Sequence, residues 1–116
     1  NPHRGDEPVR TNLTPELHRL LSQRFKALSE PARLHILETL YQRELTVNEL
    51  VEETGMGQAN VSKHLQVLHS MGFVKRRKEG LYVHYAHADR NVMKLCDLMC
   101  GRIEHQLDAH KRLLSA

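Results

Sequence analysis

The chain has 116 residues, and 17 Lys and Arg side chains against 14 Asp and Glu side chains give it a formal net charge of +3 at pH 7. This length is typical of one domain whose hydrophobic core folds without a disulfide or a structural metal. No segment approaches the roughly 20 consecutive apolar residues of a membrane span, and residues 1–13 lack the apolar core of a secretory signal, so we expect a soluble, cytoplasmic protein.

The first predicted helix follows a stretch without periodicity. Residues 1–13 are rich in Pro, Gly and charged side chains, and we expect them to form a flexible N-terminal tail. Thr14 and Pro15 predict a helix start, because a Thr hydroxyl caps the first turn and Pro fits the first helical position. The helix then has one apolar face, which is made by Leu17, Leu20, Leu21, Phe25 and Leu28.

The second predicted helix begins with a similar signal. Ser29 and Pro31 repeat the pattern of a hydroxyl followed by Pro, which predicts a helix that ends near Gln42. Its apolar residues are more closely spaced than those of the first helix, so we expect it to be more completely buried. These residues are Leu34, Ile36, Leu37, Leu40 and Tyr41.

The next two predicted helices are joined by a glycine-containing turn. Residues 46–49 (TVNE) form a capping box, which marks the start of a short third helix that residues 55–57 (GMG) end. A fourth helix is predicted over residues 58–71, with Gly72 as its left-handed cap. Its inward-facing residues are Val61, Leu65 and Leu68. A short capped helix, a glycine turn and a longer helix are typical of a helix-turn-helix motif.

A hairpin and a long helix complete the predicted elements. Residues 73–77 and 81–87 alternate between apolar and polar side chains around residues 78–80 (KEG), which predicts a two-stranded β-hairpin with a basic tip. Asp89 is the predicted cap of a last helix that runs to about Leu114. One face of this helix carries a continuous stripe of apolar side chains. Such a stripe needs a partner surface, and a symmetric homodimer is the simplest way to provide one. The stripe consists of Val92, Leu95, Cys96, Met99, Ile103, Leu107 and Leu114.

The polar side of the fourth helix carries the side chains that we expect to contact DNA. Residues 58–80 hold five basic side chains and one acidic side chain, whereas residues 1–57 hold seven basic and nine acidic ones. Aromatic residues make up 4% of the chain and none is Trp, which disfavours a stacking platform for single strands and is compatible with duplex DNA. The candidates for base and phosphate contacts are Gln58, Asn60, Ser62, Lys63, His64 and Gln66. The alternative is a plain solvated helix face.

Four segments together carry a specific pattern: residues 25–37 (FKALSEPARLHIL), 44–50 (ELTVNEL), 58–68 (QANVSKHLQVL) and 80–85 (GLYVHY). They resemble the ArsR/SmtB-type winged-helix transcriptional repressors of bacteria and archaea, over about residues 14–110. This resemblance implies a mostly α, winged helix-turn-helix fold with about five helices and a two-stranded hairpin wing.

The same resemblance implies how such a protein works. Residues 14–116 would form one DNA-binding and dimerisation domain that pairs through its terminal helices. The homodimer would bind an imperfect palindrome over a promoter and be released by an effector. Besides the fourth-helix candidates, Arg76, Arg77 and Lys78 of the wing would contact the DNA backbone or minor groove.

The metal sites of this family are largely missing from the chain. Many members carry a Cys-x-Cys pair in the third-helix motif, where this chain has Thr46 and Asn48. Others bind zinc, cobalt or nickel between the paired terminal helices through four ligand positions. Of those four, this chain supplies Asp89 and His105. Asp89 and His105 are therefore weak candidate metal ligands, and the resemblance neither settles the effector nor assigns a cofactor.

Cys96 and Cys100 lie one turn apart on the last predicted helix. Their Cβ atoms would be roughly 5–6 Å apart, whereas an unstrained disulfide places them about 3.8 Å apart, so we expect free thiols. Three uses stay open. The thiolates bind a thiophilic effector ion such as As(III), Cd(II) or Zn(II), with a further ligand from the partner chain or a nearby His. In the second use, the thiols are oxidised or persulfidated. In the third, they are inert packing residues.

Two other function classes compete with a repressor. A winged helix can serve as a protein-interaction module without specific DNA readout. A small metal-dependent enzyme would need closely spaced ligands beside a general base, and the sequence contains no such set, so we expect no enzymatic activity. His84 and His87 lie three apart on a predicted strand and face opposite sides, so they cannot chelate one ion.

Overall fold

The computed structural model describes residues 8–115, which form five helices and a three-stranded antiparallel sheet. In chain order the elements are α1 (Pro15–Leu28), α2 (Pro31–Gln42), β1 (Leu45–Thr46), α3 (Val47–Thr54), α4 (Gln58–Ser70), β2 (Val74–Glu79), β3 (Tyr82–His87) and α5 (Asn91–Ser115). The predicted mostly α, winged helix-turn-helix architecture is confirmed, with α3 and α4 as the helix-turn-helix. Of the predicted tail, residues 1–7 lie outside the described part, and residues 8–13 form neither helix nor strand.

Hydroxyl caps begin α1 and α3 as predicted. Thr14 Oγ1 accepts a hydrogen bond from the backbone N–H of Leu17 at 3.1 Å. At α3, Glu49 N donates to Thr46 Oγ1 at 3.2 Å and Thr46 N donates to Glu49 Oε1 at 2.8 Å, which is the predicted capping box. Gly55 ends α3 with a φ of 74°, a left-handed conformation that favours glycine and turns the chain toward α4.

The junction of α1 and α2 differs from the prediction. Ser29 does not start α2 but ends α1, where its backbone N–H and its hydroxyl both donate to Lys26 O, at 3.1 and 2.7 Å. The N-cap of α2 is Glu30, whose side chain makes no capping hydrogen bond. Glu30 is extended because the ring of Pro31 disfavours a helical conformation in the residue before it. Proline alone therefore sets the start of α2.

β3 is the central strand of the sheet, between β1 and β2. The predicted hairpin of β2 and β3 is present. β2 ends at Glu79 and β3 begins at Tyr82, so the turn is shorter than the predicted turn of residues 78–80. Gly80 occupies this turn with a φ of 62°. A third strand, β1, was not predicted and pairs with β3 through Leu45 opposite Tyr85 and Thr46 opposite His84.

The core lies between α2, α3, α4 and the sheet. Its most completely buried side chains are Ile36, Leu37, Leu45, Leu50, Val61, Leu65 and Leu68. The predicted inward face of α4 is therefore confirmed, as are three of the buried positions expected in α2. Within residues 8–115 no helix is both long and apolar enough to cross a membrane.

The apolar faces of the two terminal helices are not covered within one chain. In α1, Leu21 and Phe25 are 38% and 50% exposed, and the predicted burial of Leu34 in α2 is also wrong, since 38% of it is exposed. α5 has 25 residues and a length of about 37 Å, yet Val92 at its start is its one residue classed as buried among those described. Its large exposed apolar side chains are Leu95, Leu98, Met99, Ile103, Leu107, Leu113 and Leu114. These faces are open to a partner molecule.

Candidate nucleic-acid interface

Helix α4 has two sides of opposite character. Val61, Leu65 and Leu68 are at most 1% exposed and fix one side of the helix to the core. The other side is exposed and carries five of the six predicted contact residues, Gln58, Asn60, Ser62, Lys63 and Gln66. Because the apolar side is packed so tightly, the amide, hydroxyl and ammonium groups of the outer side are presented on a rigid support.

His64, the sixth candidate on α4, is half-buried. Arg33 of α2 lies with its Nη1 3.2 Å from His64 Nδ1, and the same guanidinium donates from Nε to Ala27 O at 2.6 Å. Burial lowers the pKa of His64, and the charges of Arg33 and Lys63 lower this pKa further against the opposing effect of Glu30. His64 therefore stands at the border between the exposed side of α4 and α2. Arg33 was not among the predicted site residues.

The wing carries its basic residues on both faces of β2. Alternation along the strand places Arg76 and Lys78 on one face and Arg77 on the other. Arg77 pairs with Glu44, to which its Nε donates at 3.1 Å, and its Nη1 lies 3.5 Å from Glu79 Oε1. The hydrogen bond from Arg77 lowers the pKa of Glu44. Arg77 is thus tied to the base of the wing, and the DNA contacts of all three basic residues stay predictions.

The two cysteines lie on α5, away from the helix-turn-helix in sequence. Both are free thiols; Cys96 is half-buried and Cys100 is exposed. Burial raises the pKa of the Cys96 thiol, and the neighbouring Cys100 raises it further. Cys96 is therefore mainly protonated at neutral pH, and a bound ion or a base would have to displace its proton.

The other candidate metal ligands do not come together within one chain. Asp89 accepts a hydrogen bond from Asn91 N at 2.9 Å and so caps the start of α5 as predicted. His105 lies about 20 Å further along that helix, too far to share an ion with Asp89. In the part of the chain that the structure describes, no group of three or more His, Cys, Asp and Glu side chains could hold a metal ion. A metal bound at these positions would need ligands from a second chain.

The two histidines of β3 also point to different surroundings. His87 is buried, and its Nε2 donates to Leu37 O at 2.6 Å. His84 Nε2 lies 3.6 Å from Glu79 Oε1 at the surface of the wing. This placement agrees with the expectation that the two rings cannot chelate one ion.

Comparisons with known proteins identify the family. Residues 30–76, from the start of α2 into β2, match the family model described as bacterial regulatory protein, arsR family. The transcriptional repressor SmtB homolog of Synechocystis sp. is 36% identical over 75 residues, or 65% of this chain and 57% of that protein. The chain thus spans little more than half the length of that relative.

Two mycobacterial proteins are similar over more of their length. The uncharacterized HTH-type transcriptional regulator Rv0081 of Mycobacterium tuberculosis is 36% identical over 80 residues, or 68% of this chain and 70% of that protein. Its crystal structure superposes with a TM-score of 0.74 and 31% identity, over 84% of this chain and 98% of that chain. The solution structure of the homodimeric winged helix-turn-helix DNA-binding domain Mb0332 from Mycobacterium bovis gives a TM-score of 0.72 at 31% identity, over 87% and 94% of the two chains.

These relatives are described as regulators of transcription, the class of protein that the sequence predicted. The two solved structures superpose on most of this chain, and the sequence match includes both helices of the helix-turn-helix. The chain belongs to the ArsR family of bacterial winged helix-turn-helix transcriptional regulators.

Proposed function

We propose that this protein is a DNA-binding transcriptional repressor that reads its operator through the exposed side of α4. The observation that carries this proposal is the division of α4 into a side packed on the core and an exposed side whose polar groups can form hydrogen bonds to bases. A helix fits into the major groove of B-form DNA, which is about 12 Å wide. Arg76 and Lys78 on the neighbouring wing add exposed positive charge that favours the phosphates.

A homodimer is the second part of the proposal. The exposed apolar side chains of α1 and α5 lie on the two terminal helices, and pairing of these helices between two chains would remove them from water. A twofold dimer presents two copies of α4, which would enter major grooves about 34 Å apart on one side of the duplex. The operator is therefore proposed to be an imperfect palindrome. The homodimeric relative from Mycobacterium bovis supports this assembly.

Lys63 and Asn60 are expected to contribute in different ways. Lys63→Ala should weaken binding to all duplexes and reduce the slope of log Kd against log salt by about 1, because Lys63 is assigned to phosphate. Asn60→Ala should cost about 1–3 kcal/mol on the operator and relax the preference at particular base pairs, because an amide pairs with adenine. Fluorescence anisotropy with a selected operator and a randomised duplex, at several salt concentrations, measures both effects.

A control for charge is available on α5. Lys111→Ala removes the same charge from an exposed helix that is not assigned to DNA contact, so its affinity for the operator should match that of the wild type. Wild-type affinity and specificity in both α4 variants would refute the assignment of α4. If the wild-type protein enriches no sequence from a random duplex pool, the result would instead favour the protein-interaction module.

The effector is proposed to act at Cys96 and Cys100. Both thiols lie on the helix assigned to dimer contact, Cys96 partly covered and Cys100 exposed. A thiophilic ion bound to both thiolates, or oxidation that pairs a thiol with one of the partner chain, would change the packing of α5 and the separation of the two α4 helices. A coupling free energy of about 1–3 kcal/mol changes operator affinity by roughly 5- to 150-fold.

Titration with each effector separates a metal sensor from a redox switch, and substitution of the thiols tests whether Cys96 and Cys100 carry the response. We expect Cd(II) or As(III), or hydrogen peroxide, to release the reduced wild-type protein from its operator, whereas Cys96→Ser and Cys100→Ser keep their operator under the same treatment. The measurement is anisotropy during titration, with chelator or dithiothreitol added at the end to reverse each arm. Release by the ion alone identifies a metal sensor, and release by peroxide alone identifies a redox switch. Release of both Ser variants at wild-type effector concentrations would show that the cysteines are bystanders.

A further inference from the structure

The proposed DNA-contacting helix carries one side chain whose hydrogen-bonding state is fixed by a neighbouring helix. His64 follows Asn60 by four residues and Lys63 by one, so it continues the outer side of α4 toward α2. There the ring is half-buried, and Arg33 Nη1 lies 3.2 Å from its Nδ1. The contact joins residues that are 31 positions apart in the chain.

Arg33 is held firmly enough to dictate the state of this ring. Its Nε donates to Ala27 O at the end of α1 at 2.6 Å, and the side chain is part-buried. A guanidinium has no acceptor atom, so His64 Nδ1 must accept, and the neutral ring then carries its proton on Nε2. Within residues 8–115, Nε2 makes no hydrogen bond and is not one of the buried polar atoms without a partner, so it is open to solvent.

The charged groups around the ring favour its neutral form. Arg33 faces the ring from α2, Glu30 lies at the start of α2, and Lys63 precedes it on α4. Burial is the largest cause that lowers the pKa of His64 from its ordinary value of 6.5, and the two cations outweigh the opposing effect of Glu30. Burial and these two cations therefore favour the neutral ring.

We infer that Arg33 is a positioning residue that leaves His64 with only a hydrogen-bond donor toward DNA, so that its Nε2–H donates to an acceptor atom of the duplex. The inference rests on the proposed DNA-binding function of α4. The acceptor is a phosphate oxygen or the N7 or O6 atom of guanine. A base that presents an amino group at this place would meet another donor and be disfavoured.

The tautomer can be measured without DNA. Nitrogen-15 shifts of the His64 ring, assigned by their loss in His64→Gln, should show a protonated Nε2 and an unprotonated Nδ1 in the free wild type at pH 7.5. In Arg33→Gln the two nitrogens should move toward the averaged shifts of a tautomer mixture. A charged ring, or one protonated at Nδ1, in the free wild type would overturn the inference.

The use of this donor is tested by the pH dependence of affinity, which a merely structural role of Arg33 would not change. Two affinity ratios are compared between pH 8 and pH 6. The first is the affinity of the wild type divided by that of His64→Gln, and the second is the affinity of Arg33→Gln divided by that of the double variant Arg33→Gln/His64→Gln. The first ratio should vary less with pH than the second. The second ratio should rise more steeply as the pH falls, because Arg33→Gln removes one of the two cations that disfavour a charged ring, although burial still opposes the charge. An equally steep rise in the first ratio would mean that His64 binds as a cation, and would overturn the inference.

Two further comparisons complete the test. Equal effects of His64→Gln on the operator and on a randomised duplex identify a phosphate oxygen as the acceptor, and an effect on the operator alone identifies a base. If thermal melting shows that Arg33→Gln is unfolded, the wild-type ring shifts and the first ratio still decide the outcome. Absence of DNA binding by the wild type would refute the proposed function, while the ring shifts would still report whether Arg33 sets the tautomer.

Discussion

Ile103→Lys is expected to convert the dimer to a monomer and to lower its affinity for a selected operator by about 100-fold or more. Ile103 is 50% exposed in the middle of the apolar stripe of α5, with Met99 and Leu107 one turn away on either side. In a twofold interface the substitution occurs twice, and burial of an unpaired ammonium costs several kcal/mol per copy. Because an added positive charge by itself favours DNA, a loss of affinity would report the loss of the second α4 helix.

Glu104→Lys is the matched control for this substitution. Glu104 is exposed and lies next to Ile103, but about 100° around the helix and off the stripe. It should remain a dimer in sedimentation velocity and bind the operator at least as tightly as the wild type does. A dimeric Ile103→Lys with wild-type operator affinity would show that α5 is not the dimer contact.

Leu65→Ala is expected to lower the free energy of unfolding by about 2–5 kcal/mol, which is a large part of the roughly 5–15 kcal/mol typical of a small protein. Leu65 is 1% exposed and packs the centre of α4 against the core, so the truncated side chain leaves a cavity beneath the recognition surface. Urea unfolding at one fixed protein concentration measures the change. Gln66→Ala, on the exposed side of the same turn, should alter the unfolding free energy by less than about 0.5 kcal/mol. Equal stabilities of the two variants would contradict the assigned core side of α4.

The sequence predicted α4 and its two sides because the signals there are local. Val61, Leu65 and Leu68 repeat at helical spacing, and the capping box and glycines around α3 mark the helix-turn-helix in a few consecutive residues. Ser29 shows the limit of such signals, because a hydroxyl before a helix and one after a helix look alike when two helices are separated by two residues. The strand β1 has two residues and therefore no periodicity, so its pairing with β3 could not be read from the chain.

The contacts that determine the electrostatics of the site are non-local, and no sequence pattern predicted them. Arg33 reaches His64 across 31 positions, and Arg77 reaches Glu44 across 33. Arg77 was predicted as a DNA contact from its place in a basic run, but a run of charges contains no information about which member pairs with an acid elsewhere. The apolar face of α1 was predicted without its partner, because periodicity identifies an apolar face without showing whether its partner lies in the same chain.

Protection of guanine N7 from methylation, on a duplex selected from a random pool, tests most directly that α4 enters the major groove, where N7 lies. The proposed dimer predicts two protected segments with centres about 10 base pairs, or a whole number of helical turns, apart. Lys63→Ala/Asn60→Ala should lose this protection at protein concentrations that saturate the wild type. A selected duplex that binds the wild-type protein with every N7 still reactive would contradict reading by α4.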